Sequence, residues 1–138
     1  GSTWGANGFI GIGSGYSTNN AVNAFRANSA NGALVNYWWA NDASASFTPS
    51  SPTAWFNFVS TWDGSTRTIY QNATALSTTA TSQTGLNVTN SYLSIGLTWP
   101  TGNEYLNGNI GQALIYSRAL TPTEITQNFN SVRGRYGV

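Results

Sequence analysis

Apolar residues in this chain come in short alternating runs separated by glycine, asparagine and proline, which is the pattern of strands and turns rather than of long helices. Phe9 to Gly13 alternates apolar residues with glycine and predicts a strand whose bare face lies against something close. Val22 to Arg26 predicts a second short strand, and Ala33 to Ala40 a third, bounded by Asn31-Gly32 and Asn41-Asp42. Ser44 to Thr53 carries Pro49 and Pro52 among serines and reads as a loop. Trp55 to Trp62 and Arg67 to Asn72 flank Asp63-Gly64, a pair that accepts the positive φ of tight turns, so a hairpin is expected there. A second turn at Asn72-Ala73-Thr74 leads to a short run at Ala75-Leu76 and then a Ser/Thr-rich stretch to Gly85, read as an exposed edge or loop. Ser91 to Trp99, closed by Pro100-Thr101-Gly102, predicts another strand. Asn109 to Ser117 predicts the last one, with Ile110, Leu114 and Ile115 as core candidates.

One segment breaks the period of two. Thr121-Pro122-Thr123-Glu124 combines an N-cap threonine, a proline at the first helical position and a glutamate able to reach back, which is a capping box. Ile125, Phe129 and Val132 then recur at helical spacing, and the helix is expected to stop near Gly134. Seven or eight strands with one short C-terminal helix predict an all-β fold, a two-sheet antiparallel β-sandwich of jelly-roll type, as a single domain over residues 1–138. The Gly1-Ser2-Thr3 opening and the absence of methionine point to a fragment or processed product of a longer chain.

Composition narrows the chemistry. Aromatics reach 14% while charged residues are only 7%, so the surface is neutral and rich in Asn, Thr and Ser. With no histidine and no cysteine there is no imidazole base, thiolate nucleophile, disulfide or zinc site of the usual ligand types. All five basic residues are arginines, and only Arg133 and Arg135 lie close in sequence, a poor footprint for nucleic acid. No window approaches the roughly 20 apolar residues of a membrane span. The sequons at Asn72 and Asn87 are no more than this composition supplies by chance.

The four carboxylates can be taken singly. Asp63 belongs to the hairpin turn and Glu124 to the capping box, so local backbone roles account for both. Asp42 and Glu104 remain, in separate loops, and no closely spaced acid pair of glycosidase type is written in the sequence, so no catalytic residue and no enzyme activity is expected. Asp42 follows Trp38, Trp39 and Asn41, while Trp99 and Asn103 precede Glu104 and Tyr105. An aromatic ring beside amide and carboxylate acceptors is equipment for a sugar, the ring covering C–H groups and the acceptors taking hydroxyls. The alternative is that strand alternation sends one of Trp38 and Trp39 inward as core; Trp99, at a strand end, is expected on the rim. Asn41, Asp42, Asn103 and Glu104 are oxygen ligands of the kind calcium takes, but without an acid-rich loop they are expected to be solvated or paired with arginine, with no metal and no cofactor. Gly11-Ile12-Gly13-Ser14-Gly15 lacks the lysine and helix of a phosphate loop and reads as strand and turn.

The succession of Trp55, Trp62-Asp63-Gly64, Ile69-Tyr70-Gln71-Asn72, Leu93-Ser94-Ile95-Gly96, Gly108-Asn109-Ile110 and Ile115-Tyr116-Ser117-Arg118-Ala119-Leu120-Thr121 with Glu124-Ile125 resembles the laminin-G-like domains of the concanavalin A-like lectin/glucanase superfamily. The likeness covers about residues 33 to 137 and is most specific at its C-terminal end. It implies a jelly-roll sandwich of the kind found in phage, giant-virus and bacterial surface proteins. Two positions depart from the family's habit: Gly111-Gln112 stand where an acidic residue is common, and Asn72-Ala73 where Asn-Gly is common. One or two strands usually precede the region matching Phe9, so an open sheet edge is expected, rebuilt locally or filled by a neighbouring chain. The resulting expectation is a structural assembly module of a virion, fibre or cell-surface layer, outside the cell, with self-association or neighbouring subunits as partners. The alternative is a carbohydrate-binding module whose partner is a glycan. Nucleic acid is not an expected partner.

Overall fold

Eight strands and one helix form in the computed structural model, which describes residues 7–13, 20–28, 32–47, 51, 53–80, 86–88, 92–99 and 104–138. The strands are β1 Asn7–Ile12, β2 Asn23–Asn28, β3 Ala33–Tyr37, β4 Ala43–Ser46, β5 Phe58–Trp62, β6 Thr66–Gln71, β7 Thr74–Ala80 and β8 Leu93–Ile95; the helix α1 is Pro122–Tyr136. A five-stranded sheet runs β4-β3-β2-β1-β8 and a three-stranded sheet β5-β6-β7, all neighbours antiparallel. The expected two-sheet sandwich with a C-terminal helix is therefore present.

Pleating explains how both faces of the larger sheet are filled. Phe25, Leu34, Ala45 and Phe47 point one way and meet Ile69, Phe56 and Phe58, which makes the core between the sheets. Its aromatics interlock edge to face, Phe47 against Phe56 and Phe58 with ring centres 5.4 and 5.1 Å apart. A bulge in β1 between Gly8 and Ile10 lets Phe9 and Ile10 both pack against this cluster, Phe9 stacking on Phe58 at 5.5 Å. Val22, Ala24, Ala33, Val35 and Tyr37 point the other way and are roofed by Trp99. The chain reaches that roof by crossing β1 at its glycines: a Cβ on Gly11 would lie 1.7 Å from the Thr98 carbonyl oxygen, and one on Gly8 2.2 Å from the Thr98 nitrogen. The glycine-alternating strand thus has the bare face its sequence predicts.

Both hairpin turns form, by different means. Gly64 takes φ 101 while Asp63 accepts hydrogen bonds from the Ser65 and Thr66 N–H groups at 2.9 and 2.8 Å. At the second turn Asn72 and Ala73 both adopt positive φ, 48 and 64, the pairing a two-residue hairpin needs.

Three sequence expectations need correction. Ser44 to Ser46, read as the start of a loop, belong to strand β4 Ala43–Ser46, its alanines buried and its serines exposed in strict alternation. Of the two readings of the stretch after Leu76, exposed edge or loop, the edge is present through Ala80: Thr74–Ala80 is a full strand at the edge of the smaller sheet. The strand expected from Ser91 to Trp99 is limited to Leu93–Ile95, because the chain leaves the sheet to cross β1. The helix continues past Gly134 and ends at Gly137, which takes the left-handed C-cap conformation with φ 69. The capping box is as expected, with both reciprocal bonds between Thr121 and Glu124 made.

The largest departure lies at Asn109–Ser117, which joins neither sheet. Ile110, Leu114 and Ile115, expected in the core, are 38%, 56% and 55% exposed. From Gln112 to Tyr116 the chain runs without turn or bend, and no backbone–backbone hydrogen bond joins residues 108–120 to the described residues.

Candidate functional site

The candidate residues separate by burial. Trp38 is fully buried between the sheets, its ring against Trp62 at 5.0 Å and beneath the Arg67 guanidinium at 4.2 Å, with its indole N–H donating to Asn23 Oδ1 at 3.0 Å. That settles its part in the adjacent pair: Trp38 is core and is not available to a sugar. Trp39 points to the opposite face, half-buried, with its ring edge to face with Tyr37 at 6.2 Å. Trp99 is not on the rim as expected. It stacks on Tyr37 at 5.5 Å and is 8% exposed, since the crossing over β1 delivers it onto the sheet. Tyr105 remains 62% exposed beside the Leu97–Tyr105 bridge. Asn103 lies outside the described residues.

Asp42 and Glu104, distant in sequence, are brought into one electrostatic neighbourhood by Arg26 and Tyr37. Arg26 donates to Glu104 Oε1 in a short ion pair, and its guanidinium lies 4.5 Å from the centre of the Tyr37 ring. Thr98 Oγ1 donates to Glu104 Oε2 at 2.7 Å, so both carboxylate oxygens are engaged. The Glu104 carbonyl also accepts from the Gly8 N–H at 3.1 Å. Glu104 is thereby the pin that holds the crossing segment to β1 and β2.

Asp42 keeps surface exposure, and one oxygen accepts from the Trp38 N–H at 3.1 Å. Desolvation by the surrounding chain raises its carboxyl above the ordinary range; Arg26, the Trp38 N–H and Arg67 pull the other way, and Glu104 adds to the rise. Tyr37 is pushed up to about 12, first by burial and then by Asp42, with Arg26 opposing and Glu104 adding to the rise. Asp42 thus lies between two arginines, Arg26 and Arg67, and shares the first of them with Glu104. Arg26 holds one Glu104 oxygen and Thr98 the other, and no three acidic side chains come together among the described residues.

The sequence reading missed Arg26, Tyr37, Thr98 and Arg67. Arg67 is the clearest loss, because alternation with Ile69 along β6 already placed it on the inward face. It is 2% exposed and donates to the Asn36 carbonyl at 3.1 Å and, in a short bond, to the Asn41 carbonyl. Burial lowers its pKa, while Asp42 raises it. It ties β3 and the following turn to the second sheet. That turn closes through the Asn41 N–H on the Trp38 carbonyl at 2.7 Å and holds Ala40 at φ 63.

No helix among the described residues is long and apolar enough to cross a membrane. No curated protein sequence matches the chain. Among solved structures it is similar to an S-layer domain-containing protein (residues 221–444) from Clostridium thermocellum ATCC 27405, with 21% identity and a TM-score of 0.49 over 93% of this chain and 64% of that one. The chain therefore spans less than two thirds of the length of that structure. The model of the laminin-G type described as concanavalin A-like lectin/glucanases superfamily matches residues 2–126, and with the two antiparallel sheets in place this chain belongs to that superfamily.

Proposed function

We propose that this domain is a non-catalytic structural module that assembles with copies of itself or neighbouring subunits in a surface layer, fibre or virion outside the cell. The observation that carries this reading is the distribution of apolar surface. Tyr92, Leu93, Ile95, Tyr105, Leu114, Ile115 and Tyr116 are all exposed, and the stretches around them carry no charge from Tyr105 to Ser117 or from Tyr92 to Trp99. Meanwhile Trp38, Trp99 and Glu104, three of the residues with sugar-binding chemistry, are spent on internal contacts.

Glycan binding is the second reading, and the observation favouring it is the turn at Trp39, Asn41 and Asp42, which stays at the surface with a ring and two acceptors together. Sedimentation of the purified chain beside a glycan array separates the two. Assembly predicts association that rises with concentration and changes little between about 0.05 and about 1 M salt, since few charges are available to be screened, with a blank array. A chain that is monomeric at high concentration and binds a glycan in a manner lost on Trp39→Ala would replace the first reading with the second.

A further inference from the structure

Three asparagines in this chain stand directly before glycine, at Asn7-Gly8, Asn31-Gly32 and Asn107-Gly108. That dipeptide carries a chemistry of its own, because the backbone nitrogen of the glycine can reach the side-chain amide carbon of the asparagine and no Cβ stands in the way. The reaction needs rotation of the asparagine backbone, a glycine N–H free to lose its proton, and water. Asn31 lies outside the described residues, and the other two pairs sit in opposite surroundings.

Asn7-Gly8 is closed to that reaction. Asn7 is 5% exposed, and its Oδ1 accepts from the Asn107 N–H at 2.9 Å. The Gly8 N–H donates to the Glu104 carbonyl at 3.1 Å, and pairing with Ala27 and Arg26 of β2 keeps both residues extended. The Thr98 nitrogen presses on Gly8, 2.2 Å from where a Cβ would stand. Asn107-Gly108 is open. Both residues are exposed at a bend, ahead of the apolar run that follows, and the Gly108 N–H makes no backbone–backbone hydrogen bond with the described residues. A Cβ at Gly108 would meet only the Leu106 side chain, at 3.7 and 3.8 Å, which leaves room for a ring. The Leu106 N–H on the Gly96 carbonyl at 2.9 Å and the Asn107 N–H on Asn7 hold the chain as far as this point, so the rotation falls between Asn107 and Gly108.

We propose that Asn107 is a site of spontaneous modification, converting through a cyclic imide to aspartate and isoaspartate, and that the fold selects it while preserving Asn7. The Gly108 nitrogen gives up its proton and bonds to Asn107 Cγ; the bond from Cγ to Nδ2 breaks, and the side-chain nitrogen leaves with that proton as ammonia. Water then adds to one of the two imide carbonyls and opens the ring. Breaking the new bond from Cγ to nitrogen gives aspartate, and breaking the original backbone bond gives isoaspartate. Either product places a carboxylate in the stretch from Tyr105 to Ser117, which has no charge of its own. Isoaspartate also lengthens the backbone by a methylene next to the bond that ties Asn107 to Asn7. A neutral stretch of the chain thereby gains negative charge as the protein ages.

The arginines make the test simple. Cleavage by trypsin after Arg26, Arg67 and Arg118 puts the three pairs on separate peptides, and the chain has no lysine to divide them further. The full chain is held at mildly alkaline pH for increasing times and digested, and mass spectrometry with fragmentation reads the conversion of amide to acid at each asparagine. In folded protein Asn107 is expected to convert at least about tenfold faster than Asn7, because Asn7 reacts only when β1 opens. In concentrated urea, where neither pair is held, the two rates are expected to coincide. Gly108→Ala, whose added methyl meets only Leu106, is expected to keep the fold and to slow the conversion of Asn107. Equally slow conversion of Asn7 and Asn107 in the folded chain overturns the proposal. So does a difference that persists in urea, which would place the selection in flanking sequence rather than in the fold.

Discussion

Ala33–Tyr37 and Ile110–Tyr116 are both largely apolar runs, yet the first is buried at every residue and the second exposed at every residue. The difference lies in their neighbours. β3 has β2 and β4 along its edges, the Ile69 and Phe47 cluster on one face and Trp99 on the other. The later run has the mooring to α1 and, among the described residues, no strand beside it. Composition sets what a segment can bury, and partners decide whether it does so within one chain.

Alanine substitutions break this comparison most sharply. Leu34→Ala should cost about 2 to 5 kcal/mol and Trp99→Ala about 3 to 5 kcal/mol, because each leaves a cavity in a packed cluster. Leu114→Ala in dilute protein should stay within about 0.5 kcal/mol, as for other exposed sites. Urea unfolding measures all three, and equal losses at Leu34 and Leu114 would mean the late run is buried within its own chain.

The crossing over β1 comes next in size. Gly11→Ala should lose roughly 1 to 3 kcal/mol or more, since its Cβ would strike the Thr98 backbone rather than a flexible side chain. Gly134→Ala, with nothing within 4 Å of the added Cβ, serves as the control and should not destabilise.

Acid titration gives the smallest effects, with opposite signs at two carboxylates. The Arg118 guanidinium and the Thr121 N–H hold Glu124 down at about 2, so its support of the helix start is complete above the unfolded value of 4.5 and is lost as pH falls toward 2. Burial raises Asp42, so its ionised form costs stability above its folded pKa and that cost disappears in acid. Thermal melts of Glu124→Gln should therefore approach those of the unsubstituted chain near about pH 2 and fall below them at neutral pH. Asp42→Asn should melt slightly higher at neutral pH and lose that advantage in acid.

Local chemistry was the part of this molecule legible in sequence. Asp63 and Glu124 do what their immediate neighbours predict, and the strands bounded by Asn-Gly or Asp-Gly form close to where they were expected. β4 escaped because its serines alternate only with alanines, which carry little hydrophobic signal, and β7 past Leu76 because Ser77-Thr78-Thr79 has no alternation to read. The site was illegible for a different reason. Arg26 meets Glu104 across 78 positions of sequence, and Trp99 is placed by a crossing that two glycines permit, so neither contact leaves a periodic trace. Asn109–Ser117 reads as a strand because it has a strand's pattern; pattern alone does not say whose sheet it joins.

Hydrogen exchange across residues 108–118, followed against β3 in dilute and in concentrated protein, tests this most directly. The account predicts slow exchange in β3 at both concentrations, and fast exchange in 108–118 when dilute that slows as copies associate. Protection of 108–118 already present at the lowest concentration, and unchanged on raising it, would contradict the account, because the segment would then have its partner within its own chain.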